Sequence, residues 1–174
     1  MTANPRNVPA RANLAGILVA AGEPDAAIRE MDAIANAQPS GLLDLAPLIV
    51  ALAANPDASL RRPQQALRLA EQLVAVAGRT AATVLDTLAI ALAATGDFDA
   101  AMAMARAALD RLPVDVAERR AIQDRLALYR ERRPFVLAKP QARGAPLRQD
   151  GGRGIASRSF RSYTTKYWFA TTAR

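Results

Sequence analysis

The side chains that could do chemistry here are few, and their spacing points away from catalysis. The 174 residues include neither cysteine nor histidine. The first absence removes disulfides, thiolate zinc ligands and a thiol nucleophile. The second removes the commonest general base and metal ligand. Asp97 and Asp99 stand close together within Gly96-Asp97-Phe98-Asp99, but a turn carboxylate followed by a helix cap accounts for both. Gly151-Gly152-Arg153-Gly154 is glycine-rich, yet it lacks the Lys-Ser/Thr pair and the strand-to-helix context of a phosphate-cradling loop. The expectation is a chain that is not an enzyme, with no metal site and no cofactor.

Binding chemistry is better represented. The net charge of +7 is uneven: from Pro134 onward there are eight basic residues and one acidic one, while residues 1–133 balance at fifteen of each. The basic character therefore belongs to the C-terminal stretch. There Arg158, Arg161 and Lys166 interleave with Phe160, Tyr163 and Trp168, a pattern able to neutralise phosphates and stack bases, or to lie at an anionic membrane surface. The plainer reading, a largely disordered tail, is preferred, since Gly144, Gly151, Gly152 and Gly154 argue for a flexible linker. Nucleic acid is thus not the favoured partner, and membrane attachment rests on the tail alone. Both lysines of the chain lie beyond residue 133, and five of its eight aromatics fall within Ser159–Phe169, so the tail could have a separate origin.

The elements that would position any site are amphipathic helices. Leu85, Leu88, Ala89 and Leu92 share a helical face before Gly96, and Ala101, Ala105, Ala108 and Leu109 share one after it, with Pro113 closing the unit. An earlier unit has Leu14, Ala15 and Leu18, then Gly22-Glu23-Pro24-Asp25, then Ala27, Ile28, Met31 and Ile34, closed by Pro39. Gly22 to Gly96 and Pro39 to Pro113 are both offsets of 74 residues, and Asn4-Pro5 precedes Gln38-Pro39 by 34. An offset of 74 accommodates two periods of 34 and an insertion of six, which the Asn55–Pro63 loop holds for the most part. That loop is either a partner contact or a tolerated insertion. Asp25 is placed to cap the second helix, and Gly22 suits a reversal at positive φ.

The 34-residue period, the small residues at the helix crossing and the closing proline resemble the tetratricopeptide repeat, over about residues 4–113. The usual bulky aromatics are replaced by Leu85, Leu92, Arg11, Leu18, Met31 and Ala105. Val84-Leu85-Asp86-Thr87-Leu88 and the closing Leu126-Ala127-Leu128-Tyr129 are similar to the C-terminal repeats of large bacterial proteins of this family. Some of those are fused to membrane glycosyltransferases or serve exported-polysaccharide systems. The resemblance implies an all-α fold: a right-handed α-solenoid of three helix pairs (units at about 6–39, 40–79 and 80–113), a capping helix at 115–131, and the tail at 134–174. It also implies a partner groove lined by the first helix of each pair: Ala12, Gly16, Val19 and Ala20, then Leu43, Ala46, Val50 and Ala54, then Thr83, Asp86, Ile90 and Ala94. This surface is mostly apolar, with one acid, Asp86. It lacks the Lys and Asn with which family members capture a terminal carboxylate, so an apolar helix or extended peptide is the expected ligand. A groove filled by the chain's own tail or by a second copy is the competing expectation.

The function expected is a non-catalytic scaffold or adaptor, the alternatives being a regulatory segment of a larger enzyme or attachment through the tail. An apolar face left exposed on the first helix pair predicts self-association, or a missing preceding portion. No secretory signal is visible, and the most apolar run, Leu45–Ala54, is about half the roughly 20 residues a spanning helix needs. A cytoplasmic location is favoured, and a periplasmic one is open if the chain is a fragment.

Overall fold

Alanine and leucine at helical spacing leave the backbone little alternative to helix. The computed structural model describes residues 7–113 and 116–139, and among the described residues there are seven α-helices and no strand. In chain order these are α1 (Val8–Ala20), α2 (Pro24–Ala37), α3 (Ala46–Ala54), α4 (Pro63–Ala77), α5 (Ala82–Thr95), α6 (Phe98–Leu109) and α7 (Ala117–Arg130). Short 3-10 helices occupy Pro39–Leu45 and Ala58–Leu60. Proline lies in the first positions of α1, α2, α3 and α4, where its missing N–H costs nothing to the helix ladder. Asn7 and Asp97 cap α1 and α6, each side-chain oxygen accepting from a backbone N–H three residues on, at 3.1 and 3.0 Å.

Packing runs along the chain: α1 on α2, α3 on α4, α4 on α5, α5 on α6, α6 on α7, with α3 also against α5. Alanines at the crossings, among them Ala27, Ala66, Ala70, Ala89, Ala101, Ala105 and Ala108, are fully buried. α5 is the centre, with every residue from Val84 to Ala91 buried. A helix with so little polar surface must be covered on all sides. The turns at Gly22 and Gly96 share one geometry, with φ of +80° and +93°. In both, the next residue's N–H reaches back over the helix end, Glu23 to Leu18 O at 2.9 Å and Asp97 to Leu92 O at 3.0 Å. The 74-residue offset is therefore an offset between two equal turns.

Several expectations need revising. Leu43, expected on the first helix of the middle unit, lies in a 3-10 segment that runs to Leu45, and α3 starts only at Ala46. Pro47 cannot donate to residue 43, so the α-helical ladder has no continuation toward the N-terminus. Asp25 does not cap α2, whose N-cap is Glu23. It forms a two-pronged pair with Arg62, at 2.7 Å to Nε and 2.9 Å to Nη2, and the Arg62 hydrogen bond holds its carboxyl below the usual range. The inserted loop is thereby tied to the first helix pair. It is also closed on itself, Asp57 accepting from the Ser59 N–H at 2.9 Å and hydroxyl at 2.8 Å.

On α7, the apolar Ile122, Leu126 and Tyr129 are buried, and the charged Arg125 is buried with them. Arg119 also turns inward, donating to the carbonyls of Leu109 and Leu112 at 2.8 and 3.0 Å. Packing does not stop at the expected domain boundary after residue 133. Phe135 and Leu137 join the core, because an apolar pair beside open carbonyls finds cover there.

Candidate interaction face

Around α5 the first helices and the segment after α7 converge on one polar cluster inside an apolar surround. Asp86 lies at the start of α5 and Arg125 midway along α7, thirty-nine residues on. The guanidinium meets the carboxylate with two nitrogens, Nε to Oδ1 at 3.1 Å and Nη2 to Oδ2 at 2.6 Å. Their side chains are 3% and 9% exposed. Burial pushes the Asp86 carboxyl above its ordinary value, and the charge and hydrogen bonds of Arg125 act against that rise. Tyr129, one turn beyond Arg125, is fully buried, and its hydroxyl has no hydrogen-bond partner among the described residues. Burial and then the nearby Asp86 charge push its phenol well above the usual range. Over the other side of the guanidinium lies the Phe135 ring, with Cζ 5.3 Å from its centroid.

Phe135 belongs to a strap, residues 134–139, that leaves α7 through a sharp reversal. Arg132 sits at φ +54°, its N–H donating to Tyr129 O at 3.0 Å, and the Arg133 N–H to Leu128 O at 2.9 Å. This is the turn of Gly22 and Gly96 built a third time, with arginine in the glycine position. After Gly22 the chain enters α2 at Pro24. After Arg132 it reaches Pro134 and remains non-helical. The strap then crosses to α3, where the Leu137 N–H donates to Ala54 O at 2.8 Å. Ala54 ends α3, so its carbonyl has no helical partner, and the strap supplies one. Lys139 approaches Asp57 closely enough to favour its charged form, after the larger influence of Ser59 hydrogen bonds.

Of the twelve groove positions expected from sequence, Ala12, Gly16, Val19, Ala46, Val50, Ala54, Asp86 and Ile90 are buried and Ala94 is half-buried. Ala20, Leu43 and Thr83 are exposed. The structure thus brings Ala54 and Asp86 under one covering segment, while Ala20, Leu43 and Thr83 stand apart from it at the surface. Sequence reasoning missed Arg125, Tyr129, Phe135 and Leu137. The available signal was Phe135-Val136-Leu137 itself, an apolar triplet holding one of the three aromatics outside Ser159–Phe169. The expected tail contacts Arg158, Phe160, Arg161, Tyr163, Lys166 and Trp168 lie outside the described residues.

Elsewhere, Asp97 is engaged as a helix cap and Asp99 is an exposed residue 3.7 Å from Arg132, so these carboxylates do not form a pair. Among the described residues no three potential ligands gather around a metal position, and no helix is long and apolar enough to cross a membrane. A cavity of about 310 Å³ lies between α4, α5 and α6, lined mainly by Val74, Leu88, Leu92 and Met104 with Glu71 and Arg79. No family model, curated protein or solved structure matches the chain.

Proposed function

We propose that this chain is a non-catalytic interaction module, a right-handed solenoid of tetratricopeptide-like helix pairs that receives an extended peptide across its first helices. The observation that carries the reading is the strap, a non-helical segment held at the end of α3 by a backbone hydrogen bond to Ala54 and over Arg125 of α7 by the Phe135 ring, with Phe135 and Leu137 buried. A face that accepts one such segment has the attributes a peptide needs: an unpaired carbonyl, apolar walls and a fixed charge pair. The repeated turn geometry at Gly22, Gly96 and Arg132, and the stepwise packing of α3 on α4, α4 on α5, α5 on α6 and α6 on α7, support the solenoid arrangement. The test is to pan a displayed random peptide library on the full chain and on its Phe135→Ala/Leu137→Ala variant. Enrichment of related sequences, with binding lost on substitution of the α3–α5 face, is the expected result. A library that returns no related sequences from either protein would sink the reading.

A further inference from the structure

The strap shows what the face selects for, and few backbone contacts tie it down. Among the described residues a single backbone hydrogen bond, Leu137 to Ala54, joins residues 134–139 to the rest of the chain. Its side chains alternate: Phe135 and Leu137 are buried, while Val136 and Ala138 are exposed. Such alternation is how an extended ligand is read, every second side chain pointing down. Its flanks are basic. Arg132 lies 3.7 Å from Asp99, so an acidic residue marks the start of the track. The hinge is the non-glycine Arg132 at φ +54°, a left-handed conformation that strains a residue with a Cβ.

We propose that the strap is a displaceable self-ligand, and that the partner of this face is an extended peptide with an aromatic-x-aliphatic pattern preceded by a basic residue. The inference deepens the peptide-binding reading above and rests on it. In the resting chain the strap occupies the face, and a partner binds by replacing Phe135 over Arg125 and Leu137 beside Ala54. Binding is therefore masked in the intact chain and revealed when the strap is weakened.

The probe is a fluorescein-labelled synthetic peptide with the sequence of residues 131–139, titrated into the full chain and into Phe135→Ala/Leu137→Ala. The expected result is affinity at least tenfold higher for the variant, and no binding by a peptide in which the same two positions are alanine. Equal affinity for both proteins, or no binding to a variant that keeps its helical circular dichroism, overturns the proposal. If the variant fails to fold, hydrogen exchange on the natural chain decides. The Leu137 amide should exchange at least tenfold faster than the amides of Leu85 and Leu88. Equal protection would mean that the strap opens only when the whole chain unfolds, and would overturn displacement. Light scattering reads the remaining occupant: a dimer of the natural chain that the variant abolishes would assign the face to a second copy's strap instead. Library peptides lacking the aromatic-x-aliphatic pattern but bound by the variant would overturn this inference and leave peptide binding standing.

Discussion

Arg125 makes two interactions at once, gripping Asp86 through two nitrogens while its flat face meets the Phe135 ring. Removing one member of a buried pair strands the other charge away from water. Arg125→Ala or Asp86→Ala is therefore expected to cost about 3–5 kcal/mol, read by urea unfolding. Replacing both, as Asp86→Leu/Arg125→Met, removes the desolvation cost together with the attraction. It should lie within about 1 kcal/mol of the natural chain or above it. A double substitution as damaging as the singles would refute this account. The pair also sets a pH dependence. Because burial lifts the Asp86 carboxyl above its ordinary 3.8, the folded chain retains a proton that the unfolded chain has released. The stability from this group is complete below 3.8 and fades as pH rises through the folded value. Relative to Asp86→Asn, the natural chain should thus gain stability on acidification across that window. A difference that does not vary with pH would contradict the sign.

Helices α1, α5 and α7 end in one turn geometry, and only the third uses a side chain where glycine fits best. Arg132→Gly relieves a left-handed conformation that costs an L-residue about 1 kcal/mol, so the melting temperature should rise by a few degrees. At Gly41 the constraint is space. A Cβ there would meet Val8 and Ile34 methyl carbons, both at 2.9 Å, where the 3-10 segment crosses α1 and α2. Gly41→Ala is expected to cost about 1–3 kcal/mol by overpacking, and an unchanged denaturation midpoint would show that the crossing yields. The α-helices were legible in sequence because each carries its own periodicity and two of the turns carry glycine. The 3-10 stretch was not, because leucines at Leu42 and Leu45 fit a helical stripe equally well and only Pro47 interrupts it. The inward turn of Arg125 was illegible for a related reason. Its partner Asp86 is distant in sequence, and local spacing places an arginine beside other charges on the outer side. Phe135 and Leu137 were obscured by the glycine-rich composition that follows them.

For the molecule as a whole, α1 packs on α2 by one side and, among the described residues, keeps an exposed flank on the other. On α1, Ala10, Leu14, Ile17 and Ala21 are all exposed and spaced three or four apart, so they form one apolar stripe. Leu14 is 43% and Ile17 63% exposed, and no charged residue occurs between Arg11 and Glu23 to break the stripe. Arg11 itself is drawn to the other side by Glu30, at 2.6 Å. In a stacked array this flank is where a preceding pair would sit, and in a separate chain a second α1 offers a matching stripe. Two copies related by a twofold axis would set Leu14 and Ile17 of each against those of the other. Sedimentation equilibrium should therefore give a mass that rises above one chain with concentration, and Leu14→Lys/Ile17→Lys should return it to one chain without loss of helix content. The same substitutions should leave the strap peptide's affinity unchanged, since α1 lies outside the Asp86–Arg125–Phe135 cluster. A natural chain that stays monomeric at every concentration would count against pairing through α1.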